Sequence, residues 1–162
     1  MKIQRFGFEE KDEFLLVEVI EEQPASKVGI TKVLEDWTWE FYEREHGKEA
    51  TANFHRAVDN IATFVKKQGW DLPFNLNKYY TGFKLGNKVV FTVAWAGTHA
   101  WNITAKISED DARKFKGTNW EFQRYDTPFK QAVIKPGKAN LTDTMEIESM
   151  LTLAYHRVSG IS

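Results

Sequence analysis

The feature that most constrains the fold of this chain is an alternation of apolar and polar residues in "YYTGFKLGNKVVFTVAWAGTHAWNITAKIS", which runs from Tyr79 to Ser108. An apolar residue at every second position is typical of β-strands that bury one face. The pattern therefore predicts three antiparallel strands, near 78–85, 88–95 and 101–107, with a two-residue turn between the first two at Gly86 and Asn87. The predicted buried residues all have odd numbers: Tyr79, Phe83, Leu85, Val89, Phe91, Val93, Trp95, Trp101, Ile103, Ala105 and Ile107.

Helical spacing of apolar residues, at intervals of three and four, appears on both sides of this region. It predicts helices at about 26–45, 51–68 and 143–158. Gly69 and Gly160 stand where left-handed caps would end the second and third of these helices. An Asp143 and Glu146 capping pair is expected at the start of the third. The segment "FLLVEVI" at 14–20 fits a short buried strand or a helix, and the sequence leaves both open.

Three shorter elements are predicted after the alternating region. Ser108 is expected to cap a short helix that ends near Phe115, because three acidic residues follow it in the first turn. The segments "NWEFQRYD" and "FKQAVIK", on either side of Pro128, are expected to be extended. Strands bracketed by helices without regular alternation indicate an α+β fold, with an antiparallel sheet packed on its odd-numbered face by the helices of 51–68 and 143–158.

The 162 residues are expected to form a single domain, 1–162, with a helical part over about 1–72 and a sheet plus closing helix over about 73–162. The chain has no cysteine, no secretory signal pattern at "MKIQRFGFEE" and no apolar run of the roughly 20 residues that a membrane helix needs. A cytoplasmic protein with no membrane partner is therefore predicted.

Charge is distributed unevenly around a formal net charge of −1. Residues 1–47 carry 6 Lys and Arg against 12 Asp and Glu, residues 48–138 carry 15 against 8, and residues 139–162 carry 1 against 3. A basic middle segment can attract phosphates, but acidic ends folding over it would offset its charge equally well.

Catalytic and metal-binding motifs are missing from the sequence. The four histidines form no helical pair, no cysteine is present, and no phosphate loop, dinucleotide fingerprint or serine elbow occurs. The single Glu-x-Lys, at Glu9 to Lys11, has no acidic residue ahead of it for a metal-dependent nuclease. The sequence predicts no catalytic residue, no metal and no other cofactor, although an enzyme with scattered site residues stays open.

The pieces "KYYTGFK", "NKVVFTVAWAGTHAWNITAKIS" and the stretch from "QAVIKPG" to "LTDTMEIESMLTLAYHRV" carry a resemblance over about residues 78–160. They resemble a domain of unknown function that occurs alone, or C-terminally in predicted transport proteins and in proteins with a restriction-nuclease-like domain. The first half, ending in "NFHRAVDNIATFVKKQGWDL", resembles the winged-helix modules of modified-DNA restriction enzymes. These resemblances imply a binding module of a prokaryotic or phage defence system.

Two functions follow from the sequence. The first is binding of DNA or RNA, modified bases included, by the even-numbered strand face, where lysines would meet phosphates and aromatic rings would stack on bases. The alternative is a protein interaction module or homodimer that uses Trp39, Tyr42 and Tyr80, with the lysines merely solvated. The candidate nucleic-acid-binding residues are Lys78, Tyr80, Lys84, Lys88, Lys106, Trp95, Trp101, Arg124 and Lys130.

Overall fold

The computed structural model describes residues 15–17, 30–32, 37–138 and 140–161. The chain divides into two compact units, residues 1–36 and 37–162. In the first unit, strands β1 (Leu15–Val17) and β2 (Ile30–Lys32) pair antiparallel. The helix predicted over 26–45 is therefore wrong at 30–32. The single domain over 1–162 stays a prediction.

The second unit contains a six-stranded antiparallel sheet. Its strands are β3 (Phe74–Leu76), β4 (Tyr80–Leu85), β5 (Lys88–Trp95), β6 (Trp101–Ala105), β7 (Trp120–Asp126) and β8 (Gln131–Pro136). Their order across the sheet is β3-β4-β5-β6-β8-β7. The predicted strands and the turn at Gly86 and Asn87 are confirmed. Strand β3 was not predicted, because three residues are too few to show an alternation.

Four helices accompany the sheet: α1 (Trp39–His46), α2 (Lys48–Lys67), α3 (Glu109–Lys114) and α4 (Glu148–Ser159). The apolar side chains that they bury all belong to one core cluster, together with Phe91 and Ile103 of the sheet. The ring of Phe54 in α2 stacks on Trp95 at the end of β5, with 4.4 Å between centroids. The predicted α+β architecture, an antiparallel sheet packed on one face by helices, is confirmed. The predicted odd-numbered register is wrong at Val89, which pairs with Lys84 and is only partly buried.

Local signals fix several helix ends as expected. The Ser108 hydroxyl accepts a hydrogen bond from the Asp111 N–H at the start of α3. Gly69 and Gly160 both have positive φ, at 72° and 75°, just beyond α2 and α4. The start of the last helix differs from the prediction, because a short 3-10 turn (Met145–Ile147) precedes α4.

The predicted Asp143 and Glu146 capping pair is wrong in its second member. Asp143 does accept a hydrogen bond from the Met145 N–H. The Glu146 carboxylate instead accepts hydrogen bonds from three successive backbone N–H groups, those of Thr118, Asn119 and Trp120. These hydrogen bonds therefore hold the turn that precedes α4 against the start of β7. These bonds span about 27 residues of sequence, which a local capping pattern does not reveal.

Candidate nucleic-acid interface

The sheet has a face opposite the core, which we call the second face. Cross-strand partners share a face, so the observed register shows which residues lie on it. One row runs Tyr80, Ala94, Asn102, and the next runs Gly82, Thr92, Thr104, Val133. Neither Ala94 nor Val133 belongs to the core cluster, which agrees with this assignment.

The predicted row of Lys84, Lys88 and Lys106 does not form. Phe83 pairs with Phe91, but Lys84 pairs with Val89 and Leu85 with Lys88, so Val90 is an extra residue on β5. Because of this β-bulge, residues 88 and 89 lie on the opposite faces of the sheet from those that the alternation predicts. Val90 itself is fully buried in the core. Lys84 consequently lies on the second face, whereas Lys88 lies on the face of Leu85.

Tyr80 lies on the second face, as predicted, and its ring covers Gly82. A Cβ atom added to Gly82 would be 3.0 Å from the Tyr80 Cε2 atom. The absence of a side chain at 82 therefore allows the ring to lie against the strand. The Tyr80 side chain is partly exposed. A partly exposed aromatic ring held against a sheet is the kind of platform on which a base can stack.

The centre of the second face consists of small polar side chains. The hydroxyls of Thr92 and Thr104 are hydrogen-bonded to each other at 2.9 Å. Asn102 is 7% exposed, and its Oδ1 atom has no hydrogen-bond partner. Sequence reasoning assigned neither the threonines nor Asn102 to the site. The signal was present, because Thr92, Asn102 and Thr104 occupy even positions in otherwise apolar strands.

Arg124 also reaches the second face through a bulge. Phe122 pairs with Ile134, but Arg124 pairs with Val133, so Gln123 is the extra residue on β7. Arg124 therefore extends the row of Thr104 and Val133. On the same two strands, the Lys135 ammonium forms an ion pair with Glu121 at 3.0 Å, which compensates its charge. Within the described ranges, neither Arg124 nor Lys84 forms an ion pair.

Lys106 and Lys130 lie near the turn between β7 and β8. The Lys106 Nζ atom donates a hydrogen bond to the Phe129 carbonyl in that turn. Burial lowers the pKa of Lys106, although the Asp126 carboxylate acts in the opposite direction. Lys130 is exposed and has a positive φ of 51°. The Lys106 N–H donates a hydrogen bond to the Val90 carbonyl, which places Lys106 at the sheet end that carries the β4–β5 hairpin. Lys130 is near the same end, because it follows Phe129, whose carbonyl Lys106 contacts.

Trp95 and Trp101 cannot offer ring faces to bases. Trp95 is stacked between two parallel rings, those of His46 at 3.7 Å and Phe54 at 4.4 Å. Trp101 is 3% exposed and packs in the core. Their predicted role as stacking residues is a misassignment of core side chains. Tyr42, expected at an interface, is likewise fully buried, and its hydroxyl donates to the Asn77 carbonyl.

Lys78 belongs to a different surface, which we call the corner. There the Lys78 ammonium lies 5.5 Å from the centroid of the Tyr79 ring, and Tyr79 is 64% exposed rather than buried as predicted. His46 donates its Nδ1–H to the Thr98 carbonyl at 2.8 Å, and His99 donates to the His46 carbonyl at 2.7 Å. A cavity of about 400 Å³ opens here, lined by Phe41, Glu45, His46, Lys78, Tyr79, Trp95, Gly97 and Thr98.

The described part of the chain contains no group of three His, Asp or Glu side chains placed to hold a metal ion. No helix within it has the length and apolarity needed to cross a membrane. No protein-family model, no curated protein and no solved structure matches the chain. The two resemblances drawn from the sequence remain hypotheses.

Proposed function

We propose that residues 37–162 bind single-stranded nucleic acid across the second face of the sheet. The observation that supports this most is the position of the Tyr80 ring over Gly82, on the same face as Lys84 and Arg124. A stacking ring beside cations that lack partners among the described residues is the arrangement by which sheet surfaces bind single strands.

The spacing of the cations suits a strand that crosses the sheet. Lys84 is on β4 and Arg124 on β7, four strand positions apart, which corresponds to about 19 Å. Lys106, on the chain just beyond β6, supplies a third cation between these two strands. A backbone that contacts these cations would place a base on the partly exposed Tyr80 ring, whereas Thr92, Thr104 and Asn102 are only 7–8% exposed and offer bases little surface.

The expected affinity is modest and sensitive to salt. The chain has a net charge of −1, so little long-range attraction adds to the contacts on the second face. Three phosphate contacts to a single strand give a salt slope of about −2, so the affinity should fall roughly 20-fold between about 50 mM and 200 mM salt. A duplex should bind more weakly, because no element of the sheet enters a groove.

Fluorescence anisotropy with short labelled DNA and RNA strands tests the proposal directly. The wild-type chain should bind in low salt, and the double variant Lys84→Glu/Arg124→Glu should bind far more weakly with an unchanged circular dichroism spectrum. If the wild-type chain binds neither DNA nor RNA in low salt, modified bases included, the proposal fails. A prokaryotic or phage origin and a cytoplasmic location belong to the same proposal.

The corner favours a second candidate function, a protein interaction module. Tyr79 is an exposed aromatic side chain beside a cavity large enough for a partner's side chain. Sedimentation velocity over a range of concentrations would show whether a second copy binds there. Self-association that Tyr79→Ala abolishes, together with a failure to bind nucleic acid, would favour this function over the first.

A further inference from the structure

We propose that the turn between β7 and β8 forms a second contact with the bound strand, in which the Phe129 ring stacks on a base and Lys130 binds an adjoining phosphate. This inference rests on the proposed function and extends its site. The observation behind it is that one turn contains both an exposed aromatic ring and a lysine with a strained backbone. Phe129 is 61% exposed, and Lys130 has a φ of 51°.

The backbone of Lys130 has a conformation that suits glycine. The Lys130 N–H donates a hydrogen bond to the Thr127 carbonyl, which closes a β-turn with Pro128 and Phe129 at its centre. Hairpin loops built on a β-turn often end in a left-handed residue, and glycine is preferred there because it has no Cβ atom. Among the described residues, Lys130 is the one residue other than glycine with a positive φ. Backbone strain of this kind concentrates at ligand-binding sites.

The Phe129 ring is available to a ligand. It belongs neither to the core cluster nor to the apolar side chains that pack against that cluster. The Lys106 ammonium donates a hydrogen bond to the Phe129 carbonyl and lies 5.9 Å from the centroid of the Phe129 ring. An exposed ring beside cations offers its face to a base and a positive charge to the adjoining phosphate, which is a common way to bind single strands.

The turn continues the accessible edge of the second face. Gln131, which follows Lys130, lies on this face because it stands two residues before Val133 on β8. The Gln131 amide oxygen is 3.5 Å from the Thr104 hydroxyl on the same face. Arg124 and the turn are both exposed, in contrast to the buried centre of the face. A strand that binds Arg124 therefore reaches the turn over exposed surface.

Asp126 is an acidic group close to this contact. It pairs with Gln131, so its carboxylate lies on the second face beside the turn. Its negative charge acts on Lys106 and repels a phosphate that approaches the turn. The variant Asp126→Asn removes this repulsion and should strengthen the binding of single strands several-fold at low salt.

The variant Lys130→Gly separates a binding role from a structural role. Glycine relieves the backbone strain, so the Tm should rise by roughly 2–4 °C. Loss of the cation should weaken single-strand binding several-fold at low salt and reduce the salt slope by about 0.7, the value of one phosphate contact. Lys130→Arg keeps the charge and should bind as the wild type does. Lys88→Gln removes the same charge from the opposite face and should leave the affinity nearly unchanged.

The variant Phe129→Ala measures the contribution of the ring. Fluorescence anisotropy with labelled thymine strands should show about tenfold weaker binding, which lies within the range for the loss of one base–aromatic stack. Phe129→Trp keeps an aromatic face and should retain the affinity. Because Phe129 lies outside the core, the circular dichroism spectrum should not change in either variant.

The outcomes distinguish this inference from the proposed function. Wild-type affinity in either Phe129→Ala or Lys130→Gly, with the loss in Lys84→Glu/Arg124→Glu intact, would overturn the inference and leave the proposed function standing. A lower Tm for Lys130→Gly would assign the lysine a structural role and would also overturn it. If no strand binds the wild-type chain in low salt, both proposals fail.

Discussion

Lys84 and Lys88 lie on opposite faces of the same β-hairpin. The register pairs Lys84 with Val89 and Leu85 with Lys88, because Val90 inserts an extra residue into β5. The two lysines therefore have equal charge and neighbouring positions but different surroundings. One lies on the face of Tyr80 and Thr92, and the other lies at the hairpin end beside Leu85. Substituting each lysine in turn therefore separates an effect of the second face on binding from a general effect of net charge.

Gly117 should not tolerate a side chain. A Cβ atom at this position would lie 2.5 Å from the Trp120 carbonyl oxygen and 2.9 Å from a Glu146 carboxylate oxygen. We expect Gly117→Ala to lower the free energy of unfolding by about 1–3 kcal/mol, because the backbone and the carboxylate must both move. Urea denaturation measures this change.

Thr118→Ala is the matched control for Gly117→Ala. Thr118 is exposed, and its backbone N–H still binds Glu146 after the substitution. Its effect on the free energy of unfolding should stay within about 0.5 kcal/mol. Equal stability of the two variants would show that the segment around Gly117 does not form the predicted contact.

Glu146 should make stability depend on pH in the acid range. Hydrogen bonds, first from the Asn119 backbone N–H and also from Thr118 and Trp120, hold the pKa of this carboxyl below its ordinary value of 4.5. A group with a lowered folded-state pKa stabilises the protein fully above its unfolded value and loses that effect as the pH falls through the folded value. The stability difference between wild type and Glu146→Gln should therefore shrink below about pH 4.5.

Glu43→Gln serves as the control for this pH dependence. Glu43 is an exposed residue of α1, and its side chain makes no hydrogen bond or ion pair to the described residues. Chemical denaturation of the three proteins at several pH values makes the comparison. A gap between wild type and Glu146→Gln that stays constant from neutral to strongly acid pH would contradict the assignment.

Tyr80 should contribute stacking energy to binding. Loss of one base–aromatic stack costs about 1–3 kcal/mol, so Tyr80→Ala should weaken the affinity for single strands by roughly 5- to 150-fold. Tyr80→Phe keeps the ring and should retain most of the affinity. Tyr79→Ala removes an exposed ring at the corner, away from the second face, and is the matched control. Equal loss in Tyr80→Ala and Tyr79→Ala would argue against stacking at Tyr80.

Elements with strong local signals could be predicted from the sequence. The three alternating strands, the cap at Ser108 and the glycine ends of α2 and α4 all follow from residues close together in the chain. The short strand β2 could not be predicted, because its three residues form a strand only through their pairing with β1. Apolar residues at 30, 33 and 37 satisfy helical spacing equally well.

The candidate site was less predictable than the fold for the same physical reason. Bulges at Val90 and Gln123 depend on how partner strands align, and each changes the face on which the following residues lie. Period-two reasoning therefore placed Lys88 beside Lys84. It also could not separate Trp95 from a surface ring, because the covering groups, His46 and Phe54, come from distant helices.

The most direct test of the account compares Lys84→Glu with Lys88→Glu in a single-strand binding measurement at low salt. The two variants change the net charge equally, so any general electrostatic effect is the same in both. Because only Lys84 lies on the second face, Lys84→Glu should weaken binding several-fold more than Lys88→Glu and should reduce the salt slope by about one phosphate contact. Equal weakening by both variants, or a larger effect of Lys88→Glu, would contradict binding across the second face.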